Sequence, residues 1–94
     1  MRLSEEEKRI IRESIHSVDP DAKVMLFGSR VNDQAKGGDI DLLCLSQKID
    51  RPLHRRLRRK ISDRLGGQRV DLLVKPDARS AFVRLVLEEA QILK

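Results

Sequence analysis

Two aspartates one residue apart, Asp39 and Asp41, open the apolar run "DIDLLCL". Ten residues before Asp39, Gly28-Ser29 closes another apolar run, "KVMLF", and a third acid, Asp71, begins "DLLV". On a strand, positions i and i+2 share a face, with Cα atoms roughly 7 Å apart. Two carboxylates converging there repel by about 4 kcal/mol at 4 Å in a medium of intermediate dielectric. A divalent cation is the natural compensation. If the third apolar run lies beside the second in suitable register, Asp71 joins Asp39 and Asp41, and three carboxylates meet on one sheet face.

Such a set suits phosphoryl chemistry. Two magnesium ions roughly 3.5–4 Å apart clamp the attacking and leaving oxygens of an in-line displacement. Magnesium takes oxygen ligands and keeps several waters, so a few carboxylates and the substrate's phosphates suffice. Gly28 lets backbone approach a phosphate closely, and Ser29 offers an N–H and a hydroxyl.

These residues must be positioned by regular elements. Ser4 with Glu7 is a capping box, and Ile10, Ile11, Ile15 and Val18 recur behind it at helical spacing until Asp19-Pro20. Residues 23–27 and 39–45 then predict strands, with one helical turn in the polar segment 30–38 between them. Asp50 and Pro52 open a long helix carrying Leu53, Leu57, Ile61 and Leu65, closed by Gly66-Gly67. A strand over 69–74 follows, then a helix from about Ala78 to Leu93. The order is α-β-(α)-β-α-β-α, an α/β arrangement with helices packed on a sheet. Both aspartate-led strands are apolar on alternate positions as well, which predicts central strands covered on two sides.

Composition narrows the class. Ninety-four residues, 39% hydrophobic and 37% charged, read as one small domain over residues 1–94, too small for a large cofactor pocket. No apolar run approaches the ~20 residues of a membrane span, and "MRLSEEEKRI" lacks the apolar core of a signal peptide. A single cysteine excludes an internal disulfide and fits a reducing, cytoplasmic setting. Cys44, among leucines, reads as a buried strand residue. His16 and His54 sit in charged helical segments with no Cys/His cluster around them. They read as surface residues and not as metal ligands. The two aromatics, Phe27 and Phe82, read as core, which leaves no platform on which to stack a base.

Taken together, Gly28-Ser29, the D-x-D of Asp39 and Asp41 and the later Asp71 resemble the signature of polymerase-β-type nucleotidyltransferases. At this size the chain is similar to the minimal nucleotidyltransferase (MNT) proteins, antitoxins of HEPN-type ribonuclease toxins. The resemblance covers almost the whole chain. It implies a small α+β core, a mixed three-stranded sheet flanked by about four helices. It implies metal binding by Asp39, Asp41 and Asp71, with Asp71 also activating the attacking hydroxyl. Gly28 and Ser29 would contact the triphosphate, and Arg30 matches an arginine that often follows Gly-Ser. The implied cofactor is Mg²⁺, two ions, with Mn²⁺ as an alternative, and the implied substrate is ATP. The implied reaction is transfer of AMP to a hydroxyl of a partner protein, the HEPN-type toxin. Two departures stand out: Asn32-Asp33 replaces a glycine common in that turn, and Gly38 stands where serine is frequent.

The net charge of +5 is concentrated in residues 51–64, which hold seven of the twenty Lys/Arg and one of the fifteen acids. The rest of the chain carries −1. The patch reads as a solvated helix face, a surface for an acidic toxin, or a contact for RNA phosphates. Its extra apolar residues leave the last helix a surplus face for a homodimer or partner. Three functions from different classes follow: an active nucleotidyltransferase antitoxin, an idle fold that neutralises the toxin by binding, and a basic nucleic-acid-binding module.

Overall fold

The computed structural model describes residues 3–27, 39–89 and 91–92, of which Asp39, Glu89, Gln91 and Ile92 are described by their backbone alone. Among the described residues three helices and four strands follow one another in the order α1 (Glu5–His16), β1 (Lys23–Phe27), β2 (Asp39–Leu45), α2 (Arg51–Arg64), β3 (Arg69–Lys75), α3 (Ala81–Glu89) and β4 (Gln91–Ile92). The helical turn expected within 30–38 lies outside the described residues.

Each helix begins where local chemistry satisfies its free amides. Ser4 Oγ accepts from the Glu7 amide at 3.1 Å, and Glu7 Oε1 accepts from the Ser4 amide at 2.8 Å, so the capping box closes both ways. Asp50 Oδ1 accepts from the Leu53 amide at 2.9 Å ahead of α2, where Pro52 lacks a donor that would be orphaned anyway. Past the other end of α2, Gly66 and Gly67 have φ of 75° and 84°. The Gly67 amide reaches the Ser62 carbonyl at 2.8 Å and the Gly66 amide that of Asp63 at 3.2 Å, the paired bonds of a Schellman motif. That turn aims the chain straight into β3.

The sheet order is β3-β2-β1-β4. β1 is antiparallel to β2 and to β4, while β2 and β3 are parallel. A parallel pair requires a crossover, and α2 supplies it. One sheet face packs on α1 and α2 through Val24, Leu26, Ile40, Leu42, Val70 and Leu72 against Ile11, Ile15, Leu57 and Ile61. The other face packs on α3, with Met25 and Leu43 against Val83. Cys44 is fully buried; burial, with a smaller contribution from the charge of Asp19, pushes its thiol up to about 12.

Three expectations need correction. β3 is an edge strand, with Leu73 and Val74 only half-buried; its apolar alternation reflects helices on both faces, not strands on both sides. The last helix runs over Ala81–Glu89 and not Ala78–Leu93. Its start is set by Ser80, whose Oγ accepts from the Val83 amide at 3.1 Å, and after it the backbone of 91–92 pairs with Met25 and Leu26 as a fourth strand. Periodicity cannot foresee that pairing because two residues carry no pattern. Finally, Phe82 is not core: it is 50% exposed, and Leu85 beside it is 67% exposed.

At the end of the sheet away from Asp41, buried Asp19 ties the α1–β1 turn to the end of β2. It accepts from Ser46 Oγ at 2.5 Å and from the Asp21 amide at 3.0 Å, with Lys48 Nζ at 3.8 Å. The Ser46 hydroxyl, followed by the Asp21 amide and nearby cations, outweighs burial and holds this carboxyl below its usual value of 3.8. A depressed carboxyl contributes stability above its unfolded value and loses it as pH falls through the folded one. Urea midpoints are therefore expected to drop below about pH 4, and Asp19→Asn to flatten that acid limb while lowering the midpoint at pH 7. Separately, Gly66→Ala has space for its methyl, yet is expected to cost about 1 kcal/mol through the positive φ alone, read as a lower midpoint at unchanged m-value.

Candidate active site

The strand register assembles the site. β2 and β3 pair Asp41 with Asp71, and β1 and β2 pair Phe27 with Asp41. Neighbouring strands lie about 4.8 Å apart and directly opposed residues share a face, so Phe27, Asp41 and Asp71 form one row across three strands. The backbone of Asp39 lies opposite Arg69, two positions earlier. β1 ends at Phe27, immediately before Gly28. Gly28, Ser29, Arg30, the Asn32-Asp33 turn and Gly38 lie outside the described residues.

The row opens on a groove of about 460 Å³ lined by Phe27, Asp41, Asp71, Leu72 and Leu73 from the sheet and by His54, Arg55 and Arg58 from α2. Asp71 is exposed and Asp41 half-buried, so both carboxylates reach solvent. Like charges on directly opposed strand positions destabilise a sheet, and the arginines of α2 supply opposing charge at the groove wall. Asp41 and Asp71 offer hard oxygen donors from adjacent strands. That donor set fits a magnesium ion that retains waters and takes further oxygens from a phosphate. Among the described residues no group of three or more His, Cys, Asp or Glu side chains converges. The structure thus brings together two of the three acids predicted from sequence, while its description of the third, Asp39, ends at the backbone.

Four lining residues were missed or misplaced by sequence reasoning. His54 is half-buried, and its Nε2, 2.5 Å from the Leu72 carbonyl oxygen, donates to an edge-strand acceptor that no neighbouring strand covers among the described residues. His16 is also half-buried, with Nε2 3.1 Å from the Ala22 carbonyl oxygen. Neither histidine is a plain surface residue, and each ring is committed to a backbone carbonyl. Arg55 and Arg58 belong to the groove and not only to a solvated face. Phe27 is half-buried and supplies an aromatic wall beside the carboxylates. The signal for His54 and Arg58 was their i, i+4 spacing beside the stripe of Leu57 and Ile61, but that stripe has two flanks. Only the position of β3 says which one faces the site.

The family model for the nucleotidyltransferase domain matches residues 8–93. The chain belongs to that family. Its fold is similar to chains in three solved toxin–antitoxin structures. One, solved with AMP-PNP, aligns over 93% of this chain and 72% of its own at 22% identity, with a TM-score of 0.76. A second comes from a tri-AMPylated Shewanella oneidensis HEPN toxin in complex with its MNT antitoxin, over 97% and 72% at 21% identity and a TM-score of 0.72. A third, a mutant MntA–HpeT toxin–antitoxin, aligns over 98% and 73% at 21% identity and a TM-score of 0.75. At these identities the likeness is one of fold. A search of curated protein sequences gave no significant match. No helix among the described residues is long and apolar enough to cross a membrane.

The groove generates a direct expectation. Mg²⁺ or Mn²⁺ together with a nucleoside triphosphate is expected to raise the melting temperature, by the equivalent of about 2.7 kcal/mol at a hundred times Kd. Asp41→Asn combined with Asp71→Asn is expected to abolish this shift, measured by differential scanning fluorimetry with and without the divalent ion.

Proposed function

We propose that this nucleotidyltransferase-family protein is a magnesium-dependent protein adenylyltransferase, which transfers AMP from ATP to a hydroxyl of a HEPN-type toxin and thereby acts in the cytoplasm as its antitoxin. The observation that carries the reading is the Asp41–Asp71 pair, opposed in register on one sheet face within an arginine-walled groove. A family match over residues 8–93 and a fold shared with chains of toxin–antitoxin complexes support it.

In this reading the acceptor oxygen attacks the α-phosphorus, the α–β bridging oxygen departs with pyrophosphate, and the acceptor proton passes to Asp71. Asp39, Asp41 and Asp71 would hold the metal, which supplies charge neutralisation on the phosphates and a template for in-line displacement. Gly28, Ser29 and Arg30 would hold the triphosphate tail. Asp71, solvent-accessible on the edge strand, can release a captured proton to water. Phe27 gives the groove an apolar wall against which a nucleoside can rest.

Incubating the protein with a HEPN-type toxin and MgATP or MgGTP, and then weighing both chains intact, is expected to show additions of AMP to the partner. Asp71→Asn is expected to reduce the rate by at least 10²–10⁴-fold, the usual range for a general base, while leaving measurable triphosphate binding. A tight complex with no mass change would instead identify an idle antitoxin that works by binding alone.

A further inference from the structure

The basic run of α2 divides between two flanks of its buried stripe. On one flank Arg56 and Lys60, with Leu53 and Leu57, face Val18 next to α1. On the other, Arg55 and Arg58 line the groove with Asp41 and Asp71. Among the described residues no ion pair involves Arg55 or Arg58, in contrast to Arg9 and Arg64, whose guanidiniums are paired with glutamates. At i, i+3 the two side chains leave the helix about 5–6 Å apart, close enough for both forks to grip one anionic group.

Topology says which end of the reaction they serve. β2, with Asp41, lies between β1 and β3. β1 leads into Gly28-Ser29, where the proposed reaction has the triphosphate tail, whereas Asp71, Arg55 and Arg58 lie on the far side of β2. An in-line displacement brings the attacking oxygen from the side opposite the departing pyrophosphate. In the proposed reaction that side is the β3–α2 wall.

We propose that Arg55 and Arg58 form the acceptor subsite: they hold an anionic group of the partner protein, a carboxylate or phosphate, beside the hydroxyl that attacks. This rests on the transferase reading and adds to it the chemistry of the acceptor. The carboxylate would be a side chain near the acceptor hydroxyl; the phosphate would be that of a nucleotide already transferred. Exposed and free of structural pairing among the described residues, the arginines are available for such a group without disturbing the core.

The test separates the two substrates kinetically. Arg55→Gln with Arg58→Gln is expected to raise the KM for the partner about tenfold, with kcat and the affinity for an Mg²⁺–ATP analogue within twofold of wild type. A Lys pair, which keeps charge but loses the fork, is expected to recover part of the loss. Arg59→Gln, outside the groove, is expected to change neither. Mass spectrometry of successive additions identifies the anion: a defect on the first addition means a carboxylate, and a defect confined to later additions means a phosphate. A fall in analogue affinity with the acceptor KM unmoved at every addition would put the arginines on the triphosphate and overturn the proposal, as would no change in analogue affinity or at any addition. Failure of the underlying reading is recognisable separately, because the wild-type protein itself would then transfer nothing.

Discussion

The parallel pairing of β2 and β3, with Asp41 set opposite Asp71, is the constraint on which the rest of the molecule depends. Strand side chains alternate with a period of two, so a slip of one residue would send one carboxylate to the α1–α2 face and bury it among leucines. The register is held by hydrophobic consequence. Ile40, Leu42, Val70 and Leu72 fill one core, while Leu43 and Leu73 belong to the other side. Two acids can thus face each other because the residues alternating with them cannot tolerate any other alignment.

That pairing leaves β3 as an edge, and the structure handles the edge with α2. Unpaired backbone groups on an edge strand invite other chains; here the Leu72 carbonyl is taken by His54, and the helix that supplies the histidine also supplies the arginines of the groove. One packing solution therefore covers a strand edge and builds a charged wall. The Schellman turn at Gly66-Gly67 matters in the same way, since it sets where the chain re-enters the sheet.

The C-terminal elements have a different logic. α3 covers Met25 and Leu43 through Val83, which closes the sheet face beyond the carboxylates. Its remaining apolar residues, Phe82 and Leu85, stand exposed. The two-residue β4 continues the sheet on the β1 side, away from the groove, so the acidic row keeps its open approach over β3.

Much of this was legible in the residues. Caps at Ser4 and Asp50, glycines at 66 and 67, and apolar runs led by aspartates determine the three main strands and the first two helices, because each is a local preference acting within a turn or two of chain. The same alternation already placed Asp39 and Asp41 on one face and offered Asp71 as their companion. What local chemistry could not decide was which elements become neighbours. Edge or centre for β3, the end of α3 and the pairing of 91–92 depend on backbone hydrogen bonds to distant segments, which leave no mark on a two- or three-residue stretch. The groove's second wall was hidden for the same reason. An amphipathic helix declares its buried stripe, but its two flanks look alike until the sheet order decides which of them, His54 with Arg55 and Arg58 or Arg56 with Lys60, faces the carboxylates.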